Sequence, residues 1–168
     1  EDYGDTRKTE ISETDEQLEI EDLIPQESVA ITITHAGYIK RLLVGTYKAQ
    51  RRGGKGIVAT TTNEEDFVED LFVANTHDYI LFFTNTGKVH WLKVYKIPEA
   101  SRIAKGKAIV NLLALPDNEK ITAFIPISQF DDKHYLLMIT KKGIVKKTNL
   151  DAYSNVRAGG IIAITLEE

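Results

Sequence analysis

The chain has 168 residues, 42 % of them hydrophobic and 27 % charged, enough apolar side chains for one packed domain with a polar tail. No run of eighteen apolar residues occurs, which excludes a membrane-spanning helix. The absence of cysteine excludes disulfides and thiolate zinc sites and fits a reducing cytoplasm. The net charge of −4 conceals a split. Residues 1–27 hold eleven acids against two bases, a net of −9, and residues 28–168 hold fourteen acids against nineteen bases, a net of +5. This asymmetry fits a polyanion-binding body, or a solvated linker ahead of an ordinary surface.

Residues 1–10 are acidic and polar, unlike a secretory signal. Met138 is the one methionine, so the chain reads as a piece of a longer protein. Residues 1–21 offer Ile11, Leu18 and Ile20 among Glu13, Asp15, Glu16, Glu19 and Glu21. Such a stretch buries too little apolar surface to offset its ordering entropy and reads as an acidic linker. Leu23 and Ile24, just before Pro25, are expected to pin its end. The body, residues 22–168, is β-rich. Val29-Ala30-Ile31-Thr32-Ile33-Thr34, Tyr79-Ile80-Leu81-Phe82-Phe83-Thr84 and Tyr135-Leu136-Leu137-Met138-Ile139-Thr140 are rich in β-branched and aromatic residues, and turn chemistry follows each.

These runs belong to an internal repeat. Thr34-His35-Ala36-Gly37-Tyr38-Ile39-Lys40-Arg41 matches Thr84-Asn85-Thr86-Gly87-Lys88-Val89-His90-Trp91 and Thr140-Lys141-Lys142-Gly143-Ile144-Val145-Lys146-Lys147. The glycines are 50 and 56 residues apart. Each unit predicts a strand, a tight turn with glycine at the positive-φ position, and a return strand. A second glycine follows each hairpin: Gly56 and Gly106 four residues after Arg52 and Arg102, and Gly160 three after Arg157. A period near 50 residues with several short strands is the mark of propeller-type blades. About three blades of four-stranded antiparallel sheet are expected, near 22–68, 69–118 and 119–168, the last incomplete. Three blades form an open arc, so the parent should contain more of them.

Between the first two units lies Gln50-Arg51-Arg52-Gly53-Gly54-Lys55-Gly56. Glycines let the backbone approach a ligand and expose its N–H groups, and arginine and lysine supply donors suited to phosphate oxygens. Such a loop gives affinity and positioning without base readout. The alternative is a flexible hairpin with solvated charges. The loop is no nucleotide-binding P-loop, since Gly56 follows Gly54-Lys55 where Ser or Thr is required and Ala49 stands where the first glycine should. Ala59 likewise denies it a dinucleotide fingerprint.

This seven-residue box resembles the signature box of the C-terminal domain family of DNA gyrase A subunits. Thr34-His35-x-Gly37-Tyr38 and Tyr47-x-Ala49-Gln50 look like that domain's first blade. Val73-Ala74-Asn75-Thr76-His77-Asp78 and Lys93-Val94-Tyr95-Lys96-Ile97-Pro98 resemble its second. Asp5-Thr6-Arg7-Lys8-Thr9-Glu10-Ile11 is similar to the segment leaving the catalytic core's coiled coil. The resemblance covers nearly the whole chain. It implies an all-β fold: a partial β-pinwheel of strand-exchanging blades, six in the full ring, with duplex DNA wrapped on a basic rim. It also implies a bacterial, cytoplasmic, nucleoid-associated protein paired with the gyrase B subunit in an A2B2 complex, away from membranes. The wrap would present a positively crossed segment for ATP-dependent negative supercoiling. The family's catalytic tyrosine follows an arginine. No Arg-Tyr pair occurs here, so this chain should carry no catalytic residue, while ATP and Mg act on other domains.

Further DNA-binding candidates are Lys40, Arg41 and Lys146 after the turns, Arg102, Lys105 and Lys107 in the second unit's box-equivalent loop, and Arg157 in the third. Strand alternation sends neighbours to opposite faces, so at most one of Lys40 and Arg41 need face DNA; solvated edge lysines are the competing reading. His35, His77, His90 and His134 lack metal-ligand spacing. Trp91 reads as packing, the acids Glu64, Glu65, Asp66, Glu69 and Asp70 as a solvated connector, and Asp131-Asp132 as a turn. The acidic leader could compete with DNA for the basic body. The rival functions are a topoisomerase IV A-type domain, which the intact box argues against, and a propeller-type protein scaffold or carbohydrate-acting propeller, neither of which needs the box.

Overall fold

The computed structural model describes residues 20–46, 66–157 and 159–166. Its strands are β1 (Ser28–Thr34), β2 (Tyr38–Leu43), β3 (Val68–Asn75), β4 (Tyr79–Thr84), β5 (Lys88–Lys93), β6 (Lys107–Ala108), β7 (Ile121–Ile127), β8 (Tyr135–Ile139), β9 (Val145–Asn149) and β10 (Ile161–Ile162). One helical turn, α1 (Ile109–Leu112), follows β6. The three expected hairpins are β1–β2, β4–β5 and β8–β9, all antiparallel. Their turns close alike. The Gly37, Gly87 and Gly143 amides donate to the Thr34, Thr84 and Thr140 carbonyls, and the glycines hold φ of 78°, 77° and 82°, a region costly for any residue with a Cβ.

The sheets do not follow the contiguous segments of the repeat. The first is ordered β3-β1-β2-β6 and the second β7-β4-β5-β10. Each central hairpin is therefore flanked by a strand that precedes the next hairpin and a two-residue strand that follows it. The junctions repeat in detail: the Ile109 amide donates to the Gly37 carbonyl, and the Ala163 amide to the Gly87 carbonyl. Among the described residues the third hairpin forms a two-stranded sheet. Both four-stranded sheets are antiparallel throughout, as a bladed fold requires.

Sheet two is sandwiched. Alternate β4 side chains go to opposite faces. Ile80 and Phe82 join Val29, Ile31, Ile33, Ile39 and Ile109 in one core. Leu81 joins Val89, Leu136, Leu150, Tyr153 and Ala163 in the other. This explains the unbroken apolar run of residues 79–83. Trp91 packs edge-on against Tyr79, with Phe130 beside both, as its packing role requires.

Two expectations need correction. The leader's end is pinned by polar contacts, since Leu23 is 71 % exposed. The Glu21 carboxylate accepts from Lys93 at 2.7 Å, Thr76 Oγ1 donates to the Pro25 carbonyl at 2.7 Å, and His77 Nε2 lies 2.7 Å from the Ile24 carbonyl. Burial alone would lower the Lys93 ammonium, but its bonds to Glu21 and Tyr79 prevail and raise it. Of the acidic connector, Glu64 and Glu65 lie outside the described residues, and the other three are not a solvated loop. Glu69 and Asp70 lie in β3, and Asp66 is buried, accepting the Ala36 amide at the first turn.

Two substitutions test this packing by urea denaturation. Phe82→Ala empties a fully buried site between the two sheets and should cost about 3–5 kcal/mol. Glu21→Gln strips the buried Lys93 of its anionic partner and should cost about 1.5–3 kcal/mol.

Candidate nucleic-acid interface

The Gln50–Gly56 box (Gln50, Arg51, Arg52, Gly53, Gly54, Lys55, Gly56) lies outside the described residues. The other cations of the first margin are brought together where β6 joins β2. Ile39 pairs with Lys107 and Tyr38 with Ala108, so the loop entering β6 runs along the return strand of the first hairpin. Lys107 is exposed on that strand. Lys105 sets its ammonium 3.9 Å from the centre of the Tyr38 ring. Arg102 is partly exposed and has no ion-pair partner among the described residues.

Lys40 and Arg41 are tied into this margin. Lys40 is 2 % exposed, and its ammonium donates to the carbonyls of Ser101, Arg102 and Ala104. This corrects its assignment to the DNA-facing set: strand alternation turns it inward. Burial lowers the pKa of its ammonium. Arg41 faces the other way, yet its Nε donates to the Ile97 carbonyl at 2.7 Å and its guanidinium meets Glu99 at 3.3 Å. It braces the 97–100 segment, leaving little of its fork for phosphate.

The second margin, where β10 joins β5, gathers Arg157 and Lys146. Arg157 is exposed, and its carbonyl accepts from Gly160 to close the turn ahead of β10. Lys146 lies on an exposed stretch of β9 but directs its Nζ to the Ala163 carbonyl at 2.6 Å. Of the described candidates, Lys107 and Arg157 are thus exposed, and Arg102 and Lys105 partly exposed, where a polyanion could meet them.

One group carries no recognisable sequence motif. His90 and Glu119 are both buried, 3.6 Å apart, and Lys88 donates to the same carboxylate. Burial opposes charge on Glu119, but the Lys88 bond overcomes it and holds the carboxyl below its usual range. Burial keeps His90 below the ordinary imidazole value despite Glu119. Gly160 explains the fit, because a Cβ there would lie 2.7 Å from His90 Nε2. The available signal was the register: His90 aligns with Lys40, three residues after the turn glycine. Elsewhere, His134 hydrogen-bonds the Asp131 carboxylate and depresses it to about 2. No three-residue metal-binding group occurs among the described residues.

Interlocked antiparallel blades, the first two hairpins each completed by strands of the following unit, define a propeller-type domain built from a repeated β unit. A family model described as "DNA gyrase C-terminal domain, beta-propeller" matches residues 30–75, 78–128 and 134–168. The chain belongs to this family. It is 56 % identical to the DNA gyrase A protein of Clostridium acetobutylicum over 99 % of its length, and 54 % identical to that of Campylobacter jejuni over 96 %. It spans about a fifth of the length of these relatives, 20 % and 19 % respectively. Among solved structures, a topoisomerase IV C-terminal domain matches with a TM-score of 0.70 at 29 % identity, covering 86 % of this chain and 44 % of that one. A gyrase A C-terminal domain matches at 0.65 and 29 %, covering 84 % and 45 %.

The buried pair gives a pH prediction. His90 folds with a pKa below 6.5, so the unfolded chain binds more protons as pH falls through that value, and stability declines. Glu119, depressed below 4.5, adds loss in the same direction at lower pH. The urea midpoint should fall between pH 7.5 and 5.5, and His90→Gln should flatten that difference.

Proposed function

We propose that this chain binds duplex DNA without sequence preference and wraps it, as part of a gyrase A protein whose holoenzyme introduces negative supercoils at the expense of ATP. Family membership supplies the frame. The observation that carries the reading is the seven-residue box at 50–56, with three cations and three glycines, which neither a scaffold nor a carbohydrate-acting propeller requires. The exposed Lys107 and Arg157 extend the same chemistry to the blade margins. The domain positions DNA by its phosphates and leaves strand cleavage to another part of the parent protein.

In this reading the partners are double-stranded DNA and a gyrase B subunit in an A2B2 assembly, within the bacterial cytoplasm at the nucleoid. The chain itself uses no cofactor, while ATP and Mg serve other domains of the complex. Residues 1–21 link to the catalytic core, and residues 22–168 form the partial pinwheel. A topoisomerase IV domain is the nearest rival, because both solved neighbours share the fold at 29 % identity. The box and the gyrase A relatives at 49–56 % identity favour gyrase.

Fluorescence anisotropy on a long duplex across a salt series tests this. Binding should weaken steeply with salt through counterion release. Changing Arg51, Arg52 and Lys55 to alanine should lower the log–log slope by up to about 3, near 0.9 per lost phosphate contact. Binding indifferent to salt, or no binding by either protein at low salt, would return the scaffold reading.

A further inference from the structure

The loop that enters β6 carries Arg102 and Lys105, and its backbone is turned towards one buried point. The Lys40 ammonium lies 3.2 Å from the Ser101 carbonyl oxygen, 2.7 Å from that of Arg102 and 2.8 Å from that of Ala104. Three carbonyls from four consecutive residues thus converge on one cation. Without it, the Arg102 and Ala104 carbonyls would lose this donor and the Ser101 carbonyl would keep only the Ala104 amide, leaving partly buried backbone oxygens short of partners. Lysine suits the place because an ammonium offers three donors from a point, whereas a guanidinium spreads its donors in a plane.

The surroundings are built to the same end. At Gly106, where φ is +92°, a Cβ would lie 2.5 Å from the Ile39 oxygen and 3.1 Å from Lys40 Cβ, so the loop closes directly over the lysine stem. The loop is tethered before this point by the Ala100 amide on the Arg41 carbonyl, and after it by pairing at Lys107. Between those tethers one backbone bond within the loop, Ala104 to Ser101 at 3.2 Å, occurs among the described residues, and the lysine adds three bonds to its carbonyls.

We propose that Lys40 is a positioning residue for DNA: it gathers the carbonyls of residues 101, 102 and 104 and so holds Arg102 and Lys105 in the shape that meets phosphate. This rests on reading the 102–107 loop as a phosphate-contact loop. At the same register of the next unit, His90 sits beneath Gly160.

The test is a double-mutant cycle on the 168-residue chain, read as the salt dependence of duplex binding, with circular dichroism confirming the fold. Arg102→Ala with Lys105→Ala should lower the log–log slope by up to about 2. Lys40→Met should reproduce most of that loss while leaving both cations in the sequence. The triple variant should lose no more than the loop variant. Additive losses would overturn the proposal, because Lys40 would then act elsewhere. A folded Lys40→Met protein that binds like the parent, beside a weakened loop variant, would overturn the brace and leave the loop reading standing. Parental binding by the loop variant would remove the loop reading itself. If Lys40→Met does not fold, Lys40→Arg keeps the charge but not the donor geometry and is read in the same way. If neither folds, Lys40 is a folding residue and the proposal falls.

Discussion

A β-strand with an unpaired edge carries a row of backbone donors and acceptors that must find partners, and this chain meets the requirement by lending later strands back to earlier hairpins. β6 closes the β2 edge of the first hairpin and β10 closes the β5 edge of the second. β3 and β7 close the opposite edges before the chain goes on to its next hairpin. A unit is thus completed only when its successor has formed. The result is cooperative along the chain, as in other repeat architectures, where interfaces between units supply much of the stability. It also explains why both faces of the second sheet are apolar, since that sheet lies between two hydrophobic cores.

The same device determines where charge can act. β6 and β10 each arrive through a loop that passes over the return strand of the preceding hairpin. The loop approaches so closely that glycine is required: Gly106 over Ile39 and Lys40, Gly160 over His90. Cations beside these glycines divide by geometry. Lys40 is drawn inward to carbonyls, while Lys105, over the Tyr38 ring, stays partly exposed. Lys107 and Arg157 remain exposed. A basic margin therefore depends on buried cations that shape it as well as on exposed ones that touch a ligand. Counting lysines cannot separate the two roles.

Much of this was legible in the sequence. The hairpins stood out because β-branched runs end in a turn glycine at a fixed offset, and the repeat multiplied the signal. The lent strands were not legible locally: Lys107-Ala108 and Ile161-Ile162 are two residues long and carry too little pattern to read. Lys40 and Arg41 look equivalent in sequence, and alternation alone could say only that one turns inward. Asp66 read as a loop acid because its partner, the Ala36 amide, lies 30 residues away in the chain; Glu119 drew no notice for the same reason, its partners being Lys88 and His90. Leu23 misled for the opposite reason. An apolar residue beside proline suggested an anchor, whereas Glu21 on Lys93 provides it.

Binding alone does not establish wrapping, so the most direct test measures topology. A nicked circular DNA is incubated with the chain, sealed by ligase, stripped of protein and resolved into topoisomers. The account predicts a distribution that shifts towards positive linking number as protein is added and returns to its starting position at high salt. A distribution that stays fixed while the DNA is saturated with protein would contradict it, leaving a domain that binds DNA without bending it around its rim.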